Sequence, residues 1–339
     1  MKPFSTVPAH ALLFHFELHL VNAAKLILAG TGLAAILLWS CNEEASSQST
    51  PRSGNAAHVM PVQAWVPTLH TGVQEVPLML SVTDHKGNYV GNVVQSDLTI
   101  LDNNREQTAV TFFEHQTNLP LSVAIVVDVS SSVAQRFIAE QGTIKSFVRS
   151  VARPSDVVSI FAFNETLQLV AKVDNNWKEI AHRVKKLHLK GNTALYDALV
   201  GAADFLHQDG APSRRVIIVI TDGEENDSVY SLDGTIAHAL KAEAAIYAVN
   251  VSYRVVEDEE AKQGESILKR LADETGGNYL QAGVNGDLSG AFGKIRRELR
   301  SQYALFYRPS DPGESVFHHV QVLATRRLHV RCRSGYYVR

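Results

Sequence analysis

The sequence predicts an α/β fold, a doubly wound and mainly parallel sheet over residues 119–305 with a small β-rich module attached. Three observations carry that prediction. Two nearly unbroken apolar runs, LSVAIVVDV at 121–129 and RVIIVITD at 215–222, have the composition of strands buried on both faces. Strand-like and helix-like periods alternate between and beyond them. The segments on either side, 61–118 and 306–339, show strand patterns without helices.

Taken in order, the chain begins with a stretch that does not read as fold. Residues 26–39, LILAGTGLAAILLW, follow Lys25 and end at Ser40-Cys41. The run is short for a membrane span and of the right length for an export signal core. With its basic flank and terminal cysteine it resembles a bacterial lipoprotein signal over residues 1–41, in which Cys41 would be lipidated. An uncleaved N-terminal membrane helix is the alternative. Trp39 is an unusual residue two before such a cysteine, and apolar stretches around Leu12–Leu20 lengthen the segment before Lys25. Residues 42–60 open with NEEASSQSTPRSGNAA, are polar and Ser-rich, and read as a tether. The expectation is an exported, membrane-anchored protein of the cell envelope, facing the periplasm or cell surface. Gly30-Thr31-Gly32-Leu33-Ala34-Ala35 matches the G-x-G-x-x-A dinucleotide fingerprint, but no amphipathic helix and no acidic strand end come after it.

From Val62 to Glu114 the pattern is β. LMLSVTD (78–84), a turn at Asp84–Asn88 and YVGNVV (89–94) predict a hairpin, and a second turn falls at Asp102-Asn103-Asn104. ALFYRP, HHVQVLAT and HVRCRSGYYV in the tail add strands that are expected to complete the same sheet, because too few short strands stand on either side to be stable alone. The central region reads as strand 121–128, helix 134–151, strands 156–163 and 167–173, and helices 177–187 and 194–208. Beyond these lie strand 215–222, helix 236–244, strand 244–251, helix 265–276, strand 278–282 and a last helix from 289.

Composition narrows the function. A formal net charge of -3 gives no electrostatic basis for binding nucleic acid. The C-terminal arginines 326, 327, 331, 333 and 339 alternate with apolar residues, as on the wet face of a strand. Two cysteines, Cys41 and Cys332, sit in contexts that do not suggest a disulfide, and Cys332 reads as a small apolar residue of a strand. The histidines at 182, 188, 207, 238, 318 and 319 are scattered. The adjacent pair His318-His319 would point to opposite faces of a strand, so all read as structural or exposed.

In open α/β sheets ligands bind beyond the carboxyl ends of the strands. The first apolar strand delivers Asp128-Val129-Ser130-Ser131-Ser132 there, the second delivers Thr221-Asp222-Gly223, and Gly191-Asn192-Thr193 opens a helix between them. Two carboxylates and three hydroxyls make an all-oxygen cup suited to a hard cation, Mg²⁺ or else Mn²⁺ or Ca²⁺. With only two acids, a bound ion keeps positive charge and room for a carboxylate from a partner. Alone, Asp128 would read as a helix cap and Asn164 as a turn residue. Glu224, Glu225 and Asp227 read as solvated loop charges, and the acidic run 257–260 as an exposed loop. Asp197, one turn after Thr193, either supports the loop through hydrogen bonds or is a solvated or capping residue.

Asp-x-Ser-x-Ser after one strand, Gly-x-Thr before a helix and Thr-Asp-Gly after another strand together resemble the metal-ion-dependent adhesion site of the von Willebrand factor type A (VWA) family, whose fold is Rossmann-like. That resemblance implies Ser130, Ser132 and Thr193 as direct metal ligands, with Asp128 and Asp222 acting directly or through water. More loosely, residues 82–114 and 329–339 resemble the VWFA-related acidobacterial domain family, whose members are exported. The function implied is binding of a protein ligand through its acidic side chain. An envelope scaffold with a structural metal is the alternative. A hydrolase is disfavoured, because Ser130 stands where an aspartate-nucleophile phosphatase needs its second Asp, and the mature chain has neither a nucleophile elbow nor an H-E-x-x-H helix.

Overall fold

The computed structural model describes residues 75–115, 119–131, 133–173, 177–184, 186, 190–208, 213–252, 259–283, 287–310, 316–325 and 327–338. The signal-like run, Cys41, the tether, Ser132, His188 and the first part of the acidic run at 257–260 lie outside them. Residues 64–339 form one compact unit. Among the described residues no helix is long and apolar enough to cross a membrane.

A six-stranded sheet forms the centre. Its strands are β5 (Leu121–Asp128), β6 (Val157–Phe163), β7 (Leu167–Lys172), β8 (Arg214–Thr221), β9 (Ala244–Asn250) and β10 (Tyr279–Gln281). The order is β10-β9-β8-β5-β6-β7, and every pairing is parallel except β6 with β7. β5 is buried at all eight positions, which accounts for its unbroken apolar sequence: helices cover both of its faces. One face carries α1 (Ala134–Val151), α2 (Trp177–Val184) and α6 (Ser289–Leu299), whose apolar residues share a core with Val123, Ile125 and Val127. The other carries α3 (Leu195–Gln208), α4 (Leu232–Lys241) and α5 (Glu259–Thr275), packed on Ala124 and Val126. Odd and even residues of one strand thus feed two cores. Glu259 and Glu260, expected in a loop, open α5.

The remaining strands build two four-stranded antiparallel sheets. One has the order β13-β1-β11-β4, with β1 Val76–Thr83, β4 Val110–His115, β11 Tyr303–Tyr307 and β13 His329–Arg331. The other is β14-β12-β2-β3, with β2 Leu98–Asp102, β3 Arg105–Gln107, β12 Phe317–Ala324 and β14 Gly335–Tyr337. Both contribute to a third core that includes Leu78, Leu80, Ile100, Leu305 and Val320. Strands from before and after the α/β region pair directly, β1 with β11 and β2 with β12. The boundary read at 305/306 falls inside β11, which starts four residues after α6 ends.

Two sequence expectations are corrected. The turn at Asp84 forms, its carboxylate accepting the Lys86 and Asn88 amides at 2.8 Å, but YVGNVV does not return as a strand. Only a single bridge, Thr83 to Tyr89, is made. The Tyr89 hydroxyl turns to Glu298 at 2.8 Å and the Val93 amide to the Tyr303 hydroxyl at 3.1 Å, so the segment serves the layer below it. The tail HVRCRSGYYV splits at Cys332 into β13 and β14, which join different sheets. His318 is buried and His319 exposed, as strand alternation requires. His318 Nδ1 lies 2.7 Å from Asp102, whose other oxygen accepts the Tyr307 and Tyr336 hydroxyls at 2.8 and 2.9 Å. That cluster pins the two sheets together.

A second buried carboxylate joins the sandwich to the α/β layer. Glu298, 0% exposed near the end of α6, accepts hydrogen bonds from Ser81, Tyr89, Tyr247 and Asn278 and pairs with Arg331. Burial opposes its charge, yet Arg331 and these donors hold it below the usual carboxylate value. Its charged form therefore contributes stability above the unfolded carboxylate pKa of about 4.3, and that contribution is lost as pH falls through the lower folded value. Glu298→Gln is expected to lower unfolding stability at pH 7 by about 2–4 kcal/mol, toward the low end for a broken buried pair because Arg331 is 31% exposed. Urea melts of parent and variant should converge as pH falls below 4; a gap unchanged by acid would contradict the charged role.

Candidate functional site

β5 and β8 run side by side in parallel, so Asp128 and Asp222 emerge at the same edge of the sheet. Asp128 is 1% exposed. One of its oxygens accepts the Ser130 amide at 2.8 Å and the other the Thr221 hydroxyl at 2.6 Å. The Ser130 hydroxyl also bonds it. Asp128 does not cap α1, whose N-cap is Val133. Burial pushes the Asp128 carboxyl up to about 7, hydrogen bonds from Ser130 and Thr221 oppose that shift, and the nearby charge of Asp222 adds to it. The immediate neighbours of this buried acid are hydroxyls, an amide and a second acid.

Ser130 and Thr193 are 2% and 1% exposed, and both line one cleft of about 470 Å³ with Ser131, Gly191, Asn192, Glu224 and Asn226. Asp222 is half-buried beside them, one carboxyl oxygen accepting the Glu224 amide at 3.2 Å. Of the five residues singled out from sequence as metal ligands, Asp128, Ser130, Thr193 and Asp222 therefore converge on one edge, and Ser132 lies outside the described residues.

The loops that hold these groups are tied by residues whose role is invisible in the sequence. Asn226 accepts the Thr193 amide at 2.9 Å through its side chain and gives its own amide to the Thr193 carbonyl at 3.1 Å. Glu225, expected to be solvated, is a structural hub. It accepts the Tyr196 amide at the start of α3, the Asp227 and Ser228 amides and the Ser228 hydroxyl, all within 2.7–3.1 Å. A carboxylate at a helix N-terminus satisfies free amides and the helix dipole together. Asp197 accepts the Val229 and Tyr230 amides, which settles its role as loop support. Asn164 does more than turn the chain: its side-chain amide donates to the Lys190 carbonyl at 2.8 Å, and its backbone carbonyl accepts the Ala194 amide. Glu224 and Asp227 are exposed, as expected.

Two glycines set the backbone here. Gly191 has φ +108, where a Cβ would also stand 3.0 Å from the Glu165 carboxylate. Gly223 has φ +85 and faces Gly264 of α5 so closely that a Cβ would lie 2.6 Å from the Gly264 carbonyl.

With this geometry in place, the chain can be compared with known proteins. The family model for the von Willebrand factor type A domain matches residues 122–287. The chain carries a VWA domain. No curated protein matched the sequence. Among solved structures, the VWA chain is similar to an aerotolerance-related membrane protein from Bacteroides fragilis, at 19% identity and TM-score 0.37, covering 53% of this chain and 98% of that one. It is similar to BatB, a conserved hypothetical protein from Bacteroides thetaiotaomicron, at 20% identity and TM-score 0.40, covering 53% and 97%. A von Willebrand factor type A protein from Catenulispora acidiphila matches at 13% identity and TM-score 0.45, covering 79% and 74%.

The Gly223–Gly264 contact generates a sharp contrast within the VWA domain. Gly264→Ala would place a Cβ 2.7 Å from the Asp222 carbonyl, whereas a Cβ on Gly142 of α1 meets nothing within 4 Å. Gly264→Ala is expected to cost about 1–3 kcal/mol by overpacking. Gly142→Ala should stabilise by about 0.5–1 kcal/mol through helix propensity. Denaturant melts check both, and equal effects would contradict the close approach of α5 to the Asp222 loop.

Proposed function

We propose that the VWA domain binds one divalent cation, Mg²⁺ or alternatively Mn²⁺ or Ca²⁺, and through it an acidic side chain of a protein ligand. The observation that carries this reading is the convergence of the Ser130 and Thr193 hydroxyls with the Asp128 and Asp222 carboxylates beside one open cleft. The donor set fits a hard cation. It is all oxygen, and it includes a buried acid whose ionisation is opposed by burial first and by the neighbouring charge of Asp222 second, so a bound cation would favour its charged form. Ser132 joins the set by the family resemblance. Bound there, the ion supplies a Lewis-acidic position that accepts a ligand carboxylate. Asp128 holds its hydroxyl partners in place, Thr221 fixes Asp128, and Asn226 fixes the turn that carries Thr193. Specificity then falls to the exposed loop surface around Ser131, Asn192 and Glu224.

The signal-like N-terminal sequence supports an envelope location for this module, facing the periplasm or the cell surface. The anchor is lipidation of Cys41 or an uncleaved apolar helix. The strands β1–β4 and β11–β14 serve as the β base of the VWA domain.

Calorimetric titration of residues 64–339 with Mg²⁺ and Mn²⁺ tests the metal site. One ion per chain is expected, with Asp128→Ala and Thr193→Ala each weakening binding at least about tenfold. Thr193→Ala should keep the parent melting temperature, so loss of binding there is not loss of fold. No heat from the parent, with melting indifferent to chelator, would overturn the reading.

A further inference from the structure

Charge is distributed unevenly between the two helical layers. Helices α1, α2 and α6 together carry eight Lys and Arg against three acidic residues, one of which is the buried Glu298. Helices α3, α4 and α5 carry four Lys and Arg against eight acidic residues. The layers pack on opposite faces of the sheet, since the first group shares one core and the second group another.

The two layers also differ in how their cations are used. On the acidic side Lys262 pairs with Glu259, Lys269 with Glu265 and Arg270 with Glu274. Lys241 sits over the Tyr337 ring. On the basic side Arg149, Lys178, Lys294, Arg296 and Arg297 are exposed, and none makes an ion pair among the described residues. Arg183 is paired with Glu179, and Lys145 also has a partner. A chain with a net charge of -3 thus presents, on one face, five exposed cations that make no ion pair among the described residues.

We propose that the α1–α2–α6 face is an electrostatic docking surface for an anionic phospholipid bilayer. Helices α1 and α6 pack against each other and α2 lies over β7 on the same side of the sheet, which at about 10 Å per helix makes a face roughly 30 Å wide. A planar surface meets such a face at once, and screening over about 10 Å hides the acidic layer behind it. A membrane therefore fits better than a free polyanion, which the overall negative charge repels. The setting rests on the envelope reading above. From Cys41 to Glu75 the chain spans about 34 residues, with an extended reach of roughly 100 Å. An anchored chain of that length allows this face to lie on the bilayer.

Flotation of residues 64–339 with vesicles tests the proposal. Binding is expected to vesicles of phosphatidylglycerol mixed with phosphatidylcholine and not to phosphatidylcholine alone, and should disappear in about 0.5 M salt. Lys294→Glu/Arg296→Glu/Arg297→Glu should weaken it at least about tenfold, while Lys262→Glu/Lys269→Glu on the opposite face leaves it unchanged. All five positions are exposed, and melting of each variant verifies its fold. Equal binding to both vesicles, no binding, or loss equal in both variants would overturn the proposal. So would a preference for duplex DNA over anionic vesicles, or self-association that vesicles do not compete with. Metal titration of the same variants stays at the parent value, so failure of this surface is distinguishable from failure of the metal site.

Discussion

The hydrogen bond from the Thr221 hydroxyl to Asp128, 2.6 Å long and buried, is the constraint on which the site depends. It ties the ends of the two central strands of the sheet. Thr221 is 0% exposed and its Oγ1 also accepts the Gly223 amide at 3.1 Å, so the same hydroxyl sets the turn that carries Asp222. Both acids are thereby held by the rigid part of the fold. The price of that rigidity is a carboxyl so desolvated that its ionisation is resisted.

The opposite end of the parallel sheet is closed by a different device. Asp156, just before β6, accepts the Leu121 amide at 2.9 Å and pairs with Arg300. Arg214, the first residue of β8, donates to Gln302 and to the Leu299 carbonyl. From there α6 leads into β11, the central strand of one sandwich sheet, and Glu298 gathers donors from both layers. The sandwich thus closes the strand starts, while the strand ends carry the site.

The α/β layer was legible because strands buried on both faces leave unbroken apolar runs, as in Leu121–Asp128, and amphipathic helices leave periodic ones, as in α5 from Glu265 onward. The residues that converge at the candidate site were legible as a spaced set of motifs around Asp128, Thr193 and Asp222. Their supports were not. Asn226, Glu225 and Ser228 are ordinary loop residues in sequence, and their value comes from where the loop after β8 meets the start of α3. Tyr89–Val94 misled because an apolar run after a Gly-containing turn suggested a returning strand, whereas their partners, Glu298 and Tyr303, lie some two hundred positions away. The β14 pairing was equally hidden, since three-residue strands carry almost no period of their own.

The central claim is that the oxygens at this edge hold a cation. Anomalous diffraction from crystals of residues 64–339 grown with Mn²⁺ addresses it most directly. One strong peak per chain is predicted, bounded by the Ser130 and Thr193 hydroxyls and the Asp128 and Asp222 carboxylates. A peak held instead by the exposed carboxylates of Glu165 or Glu224, or no peak at a saturating Mn²⁺ concentration, would contradict it.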